Sequence, residues 1–209
     1  MVLTTNLTLT RSEMIKKLTK EYSHSFPSQP IFVETGAGVS TLGMAEVGKE
    51  FNAKVYSCDR NPEKIDELIA RTKGKLDNVE IIIGDSIEIL EEIVKKHGEI
   101  HFAHLDSGAS AMLTFREFLT LQDYIKPGTG ILVDNAALPE EKEVLTEVRK
   151  GKILVPYLLA SSQWDVQAHP KAGGSMVSAT LHQEGNFAEF DYEYPEYVDK
   201  WPSYFDENL

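Results

Sequence analysis

From Ile31 onward the chain repeats a rhythm of short apolar runs and longer amphipathic stretches. The apolar runs are Ile31–Val33, Lys54–Cys58, Val79–Ile83, Ile100–Leu105 and Gly130–Val133. Between and after them lie Ser40–Glu50, Pro62–Thr72, Ser86–His97, Ala111–Ile125 and Pro139–Lys150, whose apolar positions recur at helical spacing. Pro62 and Pro139 suit first-turn helix positions. Buried strands alternating with helices predict a doubly wound α/β fold, a parallel sheet between two helical layers.

The ends of the chain read differently. Thr10-Arg11-Ser12-Glu13 has the form of a capping box, and Met14, Ile15, Leu18 and Tyr22 follow on one helical face. Pro27 and Pro30 then stop that helix, so residues 1–30 form a helical lead-in to a single domain spanning 1–209. After Lys150, Gln163–His169 and Ser175–Gln183 read as strands joined by a link too short for a helical crossover, which predicts an antiparallel hairpin. Residues 184–209 hold one basic and eight acidic residues, together with eight of the chain's 19 aromatic rings. This acidic aromatic tail would pack its rings on the body or on a second copy, which allows a homodimer.

Charge and cysteine usage narrow the classes. A net charge of −12 over 209 residues argues against nonspecific binding to nucleic acid or an anionic membrane. The single cysteine, Cys58, excludes an internal disulfide framework and a Cys-rich zinc site. The longest apolar run, Ile153–Ala160, is too short to span a bilayer and contains Pro156. No apolar signal segment is evident at the N-terminus, and a cytoplasmic location is expected.

In an open parallel sheet, ligands bind beyond the carboxyl ends of the strands. After the first strand comes Glu34-Thr35-Gly36-Ala37-Gly38-Val39-Ser40-Thr41. Its two glycines allow close backbone approach to a ligand at a helix N-terminus. A dinucleotide fingerprint would place a third glycine where Thr41 stands, and Glu34 would repel a pyrophosphate but suits a cationic ligand. Asp59, 23 residues beyond Gly36, ends the second strand and could accept hydrogen bonds from a ribose diol. Gly84-Asp85-Ser86 ends the third and suits an adenine. Asp106 ends the fourth and Asp134-Asn135 the fifth, so three oxygen donors of neighbouring strands would meet, a set suited to Mg²⁺ or another hard divalent cation.

This succession of strand-end residues resembles the class I S-adenosylmethionine-dependent methyltransferases over residues 31 to about 183. The resemblance implies a Rossmann-like, mostly parallel seven-stranded sheet whose seventh strand inserts antiparallel between the fifth and sixth. It implies S-adenosylmethionine as cofactor, held by Glu34, Thr35, Gly36, Gly38, Ser40, Thr41, Asp59, Asp85, Ser86 and Asp106. Asp106, Asp134 and Asn135 further resemble the metal ligands of the cation-dependent O-methyltransferases of catechol and caffeoyl-CoA type, with Asp106 as the catalytic residue. In that family a lysine often follows the fourth-strand acid by three residues; Ala109 stands there in this chain, so the base is unassigned. His104, by alternation, leans to the face of Asp106, and His169-Pro170-Lys171 is a second source of a base. The expected activity is methyl transfer to a hydroxyl oxygen of a small molecule, assisted by a divalent cation. The alternatives are metal-independent transfer to nitrogen or carbon, and a noncatalytic nucleoside-binding module.

Overall fold

The computed structural model describes residues 10–22, 26–136, 150–161, 163–169 and 176–182. Its elements run α1 (Arg11–Tyr22), β1 (Ile31–Thr35), α2 (Val39–Glu50), β2 (Lys54–Asp59), α3 (Pro62–Thr72), β3 (Val79–Ile83), α4 (Ser86–His97), β4 (Ile100–Leu105), α5 (Ala111–Leu121), β5 (Ile125–Val133), α6 (Gly151–Leu159), β6 (Trp164–His169) and β7 (Met176–Leu181). The seven strands form one sheet in the order β3-β2-β1-β4-β5-β7-β6. The first five are parallel, and β7 runs antiparallel to both β5 and β6, as the resemblance implied. No described helix is long and apolar enough to cross a membrane.

Side chains alternate across a strand, so each strand feeds two cores. On β1, Ile31 and Val33 join Ala103, Leu105, Ile131 and Val133 in a core roofed by residues of α4, α5 and α6. Phe32 turns the other way and packs with Phe102, Leu132 and Met176 beneath Met14, Ile15 and Leu18 of α1 and Met44 and Val47 of α2. Every residue of β1, β4 and β7 is buried.

The local signals act as expected at several ends. Glu13 Oε2 accepts from Thr10 N at 2.7 Å and from Thr10 Oγ1 at 2.8 Å, while Glu13 N reaches Thr10 Oγ1 at 3.3 Å, which closes the capping box of α1. Asn61 caps α3 by accepting from Glu63 N and Lys64 N, with Pro62 in the first turn.

One expectation changes, and one helix had not been predicted. The stretch Ala111–Ile125 ends as a helix at Leu121, passes through one 3-10 turn, Gln122–Tyr124, and becomes β5 at Ile125. Register shifts between the Ile100–Ile125 and Phe102–Gly130 pairs, and the irregularity takes up Pro127, which has no ladder donor, and Gly128 at φ 89°. The apolar run holding Pro156 is the helix α6, buried through Leu154, Val155 and Leu158. The helix expected at Pro139–Lys150, apart from Lys150 itself, the hairpin loop with Lys171 and the tail 184–209 lie outside the described residues.

Candidate functional site

The sheet ladder continues one step past the strand ends and draws the predicted residues onto one rim. Gly84 N donates to Asp59 O at 3.1 Å, Gly36 N to Cys58 O at 2.8 Å, Asp106 N to Thr35 O at 2.9 Å and Asp134 N to Leu105 O at 3.2 Å. The ends of β3, β2, β1, β4 and β5 are therefore level, and the acids Asp59, Asp106 and Asp134 stand on the same edge. A cleft of about 280 Å³ opens there, lined among others by Gly36, Cys58, Asp59, Gly84, Ser86 and Asp106. That volume lies near the lower end of small-molecule sites, roughly 300–1,000 Å³.

The first turn is fixed from below. Ser57, Glu34 and His104 are direct cross-strand neighbours on β2, β1 and β4, all facing α2. Glu34 Oε2 accepts from Thr41 Oγ1 at 2.5 Å and Ser57 Oγ at 2.6 Å, and Glu34 Oε1 lies 3.1 Å from His104 Nδ1. Thr41 Oγ1 in turn accepts from Gly38 N at 2.9 Å. Burial pushes the Glu34 carboxyl up, but the hydrogen bond and charge of His104, with hydrogen bonds from Ser40 and Ser57, outweigh it and hold the group below the usual carboxylate range. The side chain of Glu34 does not face the cleft. It is enclosed under the first turn of α2, because its position on β1 points to that layer, and with Ser40 and Thr41 it braces the glycine turn. His104, expected near Asp106, spends its Nδ1 on Glu34 and is fully buried.

The remaining predicted residues divide between wall and scaffold. Thr35 faces the other layer, where its Oγ1 donates to Glu117 Oε2 at 3.1 Å. Gly36, at φ 86°, and Ser86 line the cleft, and Gly38 heads α2. Asp59 lines the cleft too, with Oδ1 accepting from Asn61 N at 3.0 Å and Oδ2 from Lys64 Nζ at 2.5 Å. Asp85 caps α4 by accepting from Ile87 N at 2.9 Å, and its other oxygen pairs with Arg60, which holds the carboxyl below its ordinary value.

Two of the three donors expected to ligate a divalent cation, Asp134 and Asp106, are engaged by cationic side chains. Both oxygens of the fully buried Asp134 are gripped by one guanidinium, Arg11 Nε to Oδ1 at 3.0 Å and Nη2 to Oδ2 at 2.7 Å. Asp106 Oδ1 accepts from Lys150 Nζ. Burial, joined by the neighbouring Asp106 charge, pushes the Asp134 carboxyl up against the pull of Arg11. Asn135 sits in the left-handed region at φ 49°. A hard cation needs free carboxylate oxygens, and this arrangement does not fit one. Among the described residues no cluster of three or more His, Cys, Asp or Glu could hold a metal ion.

Several site residues escaped the sequence. Arg60 and Lys64 line the cleft beside Asp59, as do Ser107, Gly108 and Leu113. Arg60, directly after a strand-end acid, was a readable signal. Glu117, buried under Thr35, had none, since it stands in an ordinary amphipathic helix. Arg11 and Lys150 reach the rim from remote parts of the chain.

Residues 33–136 match the family model of a methyltransferase domain, Methyltransf_24. No curated protein matches the chain. Among solved structures, an O-methyltransferase from Bacillus cereus in complex with S-adenosylhomocysteine is 17% identical, with a TM-score of 0.62 over 82% of this chain and 80% of that one. The O-methyltransferase TomG from Streptomyces achromogenes, in complex with S-adenosylmethionine, is 14% identical, with a TM-score of 0.62 over 83% of this chain and 80% of that one. MycE, a methyltransferase from the mycinamycin biosynthetic pathway in complex with Mg and S-adenosylhomocysteine, is 14% identical, with a TM-score of 0.52 over 82% of this chain and 56% of that one. These likenesses are of fold.

Proposed function

Since the chain belongs to the S-adenosylmethionine-dependent methyltransferases through its methyltransferase domain at residues 33–136, we propose that it transfers a methyl group to a hydroxyl oxygen of a small molecule. The observation that supports this most is the level rim, which gathers Gly36, Asp59, Ser86 and Asp106 around one cleft at the carboxyl ends of β1 to β4.

The residues fit the cofactor. A Cβ built on Gly38 would meet only Gly36 O, at 3.9 Å, so the backbone above the turn is open to a ligand. Asp59 offers acceptors for a ribose diol, and Gly84 and Ser86 offer backbone and hydroxyl to an adenine. When bound, S-adenosylmethionine supplies an electrophilic methyl group on a sulfonium sulfur.

The chain's own residues orient and enclose. The Glu34 network fixes the glycine turn, so the first-turn amides of α2 are preorganised and need no rearrangement on binding. Cys58 and Leu113 give the cleft an apolar lining. Asp106 stands at the fourth-strand end, where its carboxylate can orient the incoming acceptor; alignment of this kind is a large part of what a direct displacement requires. The divalent cation expected from the resemblance does not fit the donors as they stand.

The test is to incubate the full chain with methyl-labelled S-adenosylmethionine and two acceptor panels, one of catechols and sugar hydroxyls and one of amines. Labelled ethers with release of S-adenosylhomocysteine are the expected products. Labelled amines alone would replace oxygen by nitrogen as the acceptor atom, and cofactor binding without transfer to any acceptor would favour a noncatalytic module.

A further inference from the structure

Two glycines seat two cations on the rim. At Gly43 of α2, a Cβ would stand 2.9 Å from Ser12 Cα, so only glycine lets the start of α1 lie this close. The residue before Ser12 is Arg11, whose guanidinium spans the sheet end to grip Asp134. At Gly151, a Cβ would stand 2.7 Å from both Cβ and O of Ala136, two residues past Asp134. Gly151 thus lets α6 begin directly on the end of β5, and its predecessor Lys150 meets Asp106.

Among the described residues, two acids and two cations meet here. Asp134 is fully buried and the Lys150 side chain is 5% exposed. Two carboxylates that lie close enough to perturb each other are matched by two cations, one a bidentate guanidinium and the other an ammonium. A dication entering this set would have to displace both side chains or leave like charges packed together in a poorly solvated place, and a buried charge without a partner is costly.

We propose that Arg11 and Lys150 are built-in replacements for a divalent cation. They hold Asp106 and Asp134 in place and exclude a metal from Asp106, Asp134 and Asn135, so transfer proceeds without one. This rests on the reading of the rim as a methyl-transfer site. Arg11 and Lys150 are positioning residues, and their loss turns a metal-free carboxylate pair into a metal site.

The experiment is an electron paramagnetic resonance titration of the full chain, with S-adenosylhomocysteine present, against Mn²⁺. Wild type is expected to leave the free Mn²⁺ signal undiminished, and treatment with a chelator is expected to leave methyl transfer unchanged. The double variant Arg11→Met, Lys150→Met is expected to deplete the signal, and adding Asp134→Asn to restore it; the single variant Lys150→Met serves if the double one does not fold. Stoichiometric Mn²⁺ uptake by wild type that Asp134→Asn abolishes would overturn the proposal, as would folded variants that gain no Mn²⁺. Calorimetry on the same sample separates the two readings. Heat with S-adenosylhomocysteine together with Mn²⁺ uptake sinks only this inference, whereas no heat sinks the function and leaves the Mn²⁺ result to stand on its own.

Discussion

Gly36 lies against the backbone of Asp106 so closely that a methyl group on its Cα would stand 2.1 Å from the Asp106 carbonyl oxygen and 2.6 Å from the carbonyl carbon. The tips of β1 and β4 are therefore pressed together at the centre of the rim, and the φ of 86° at Gly36 makes the turn that follows. Gly38, two residues on, is different: its φ of −175° suits any residue and its missing side chain faces open space.

The two glycines should separate fold from binding. Gly36→Ala is expected to destabilise the protein by about 1–3 kcal/mol, from backbone strain and a clash with main chain that cannot yield. Gly38→Val is expected to unfold at the same urea concentration as wild type and to lose S-adenosylhomocysteine binding. Urea denaturation and calorimetry on both variants check this pair of outcomes. Binding by Gly38→Val at wild-type affinity would remove the turn from the cofactor site.

Glu34 should behave as a brace. Glu34→Gln puts an amide among donors that all need an acceptor, at a cost of about 1–3 kcal/mol near neutral pH. The Glu34 carboxyl is held below its ordinary value of 4.5 in the folded protein. Its contribution is then fully present above that value and is lost as pH falls through the folded-state value. The gap between wild type and Glu34→Gln should accordingly narrow in acid. Urea melts at neutral and at acidic pH measure it, and a gap that does not depend on pH would show Glu34 to be neutral in the fold.

Glu117 should have the opposite sign. Burial raises its carboxyl above the ordinary 4.5, against the hydrogen bond from Thr35. The folded state then holds a proton that the unfolded state gives up, so stability falls as pH rises from 4.5 through the folded-state value, and the full cost remains above it. Glu117→Gln is expected to flatten this slope and to melt higher than wild type in mildly alkaline buffer. Thermal melts across pH test it; a lower melting point for the variant there would assign Glu117 an essential charge.

Cys58 lines the cleft, yet its thiol should be inert. Burial, with the nearby charges of Glu117 and Glu34, pushes it up to about 12. The thiolate is the reactive form, so a disulfide-exchange reagent at mildly alkaline pH is expected to modify the folded protein far more slowly than the urea-unfolded chain. Equal rates would mean the thiol is open to solvent.

The legible parts of this protein were those governed by local chemistry. β3, β4, α3 and α4 fall on the residues their periodicity marks, because short, mainly apolar runs, Pro62 and the caps Asn61 and Asp85 act within a few residues. The strand-end acids were legible for the same reason, since a parallel strand must end where its apolar run ends. Which way those acids turn was harder to read. Glu34 was expected at the ligand, but strand parity together with Ser57, Thr41 and His104 encloses it, and those partners belong to three separate elements. Helix α6 stayed hidden because Pro156 removes a helical donor from its middle, a loss offset by the burial of Leu154 and Leu158. Arg11 lies 123 residues from Asp134, and Lys150 lies 44 from Asp106, so their pairing is a product of helix packing alone.

Isothermal titration of the full chain with S-adenosylhomocysteine tests the central claim most directly, because it asks whether the level rim of β1 to β4 receives a sulfur nucleoside at all. The account predicts a saturable heat with one ligand per chain. A flat titration for a folded protein would contradict it.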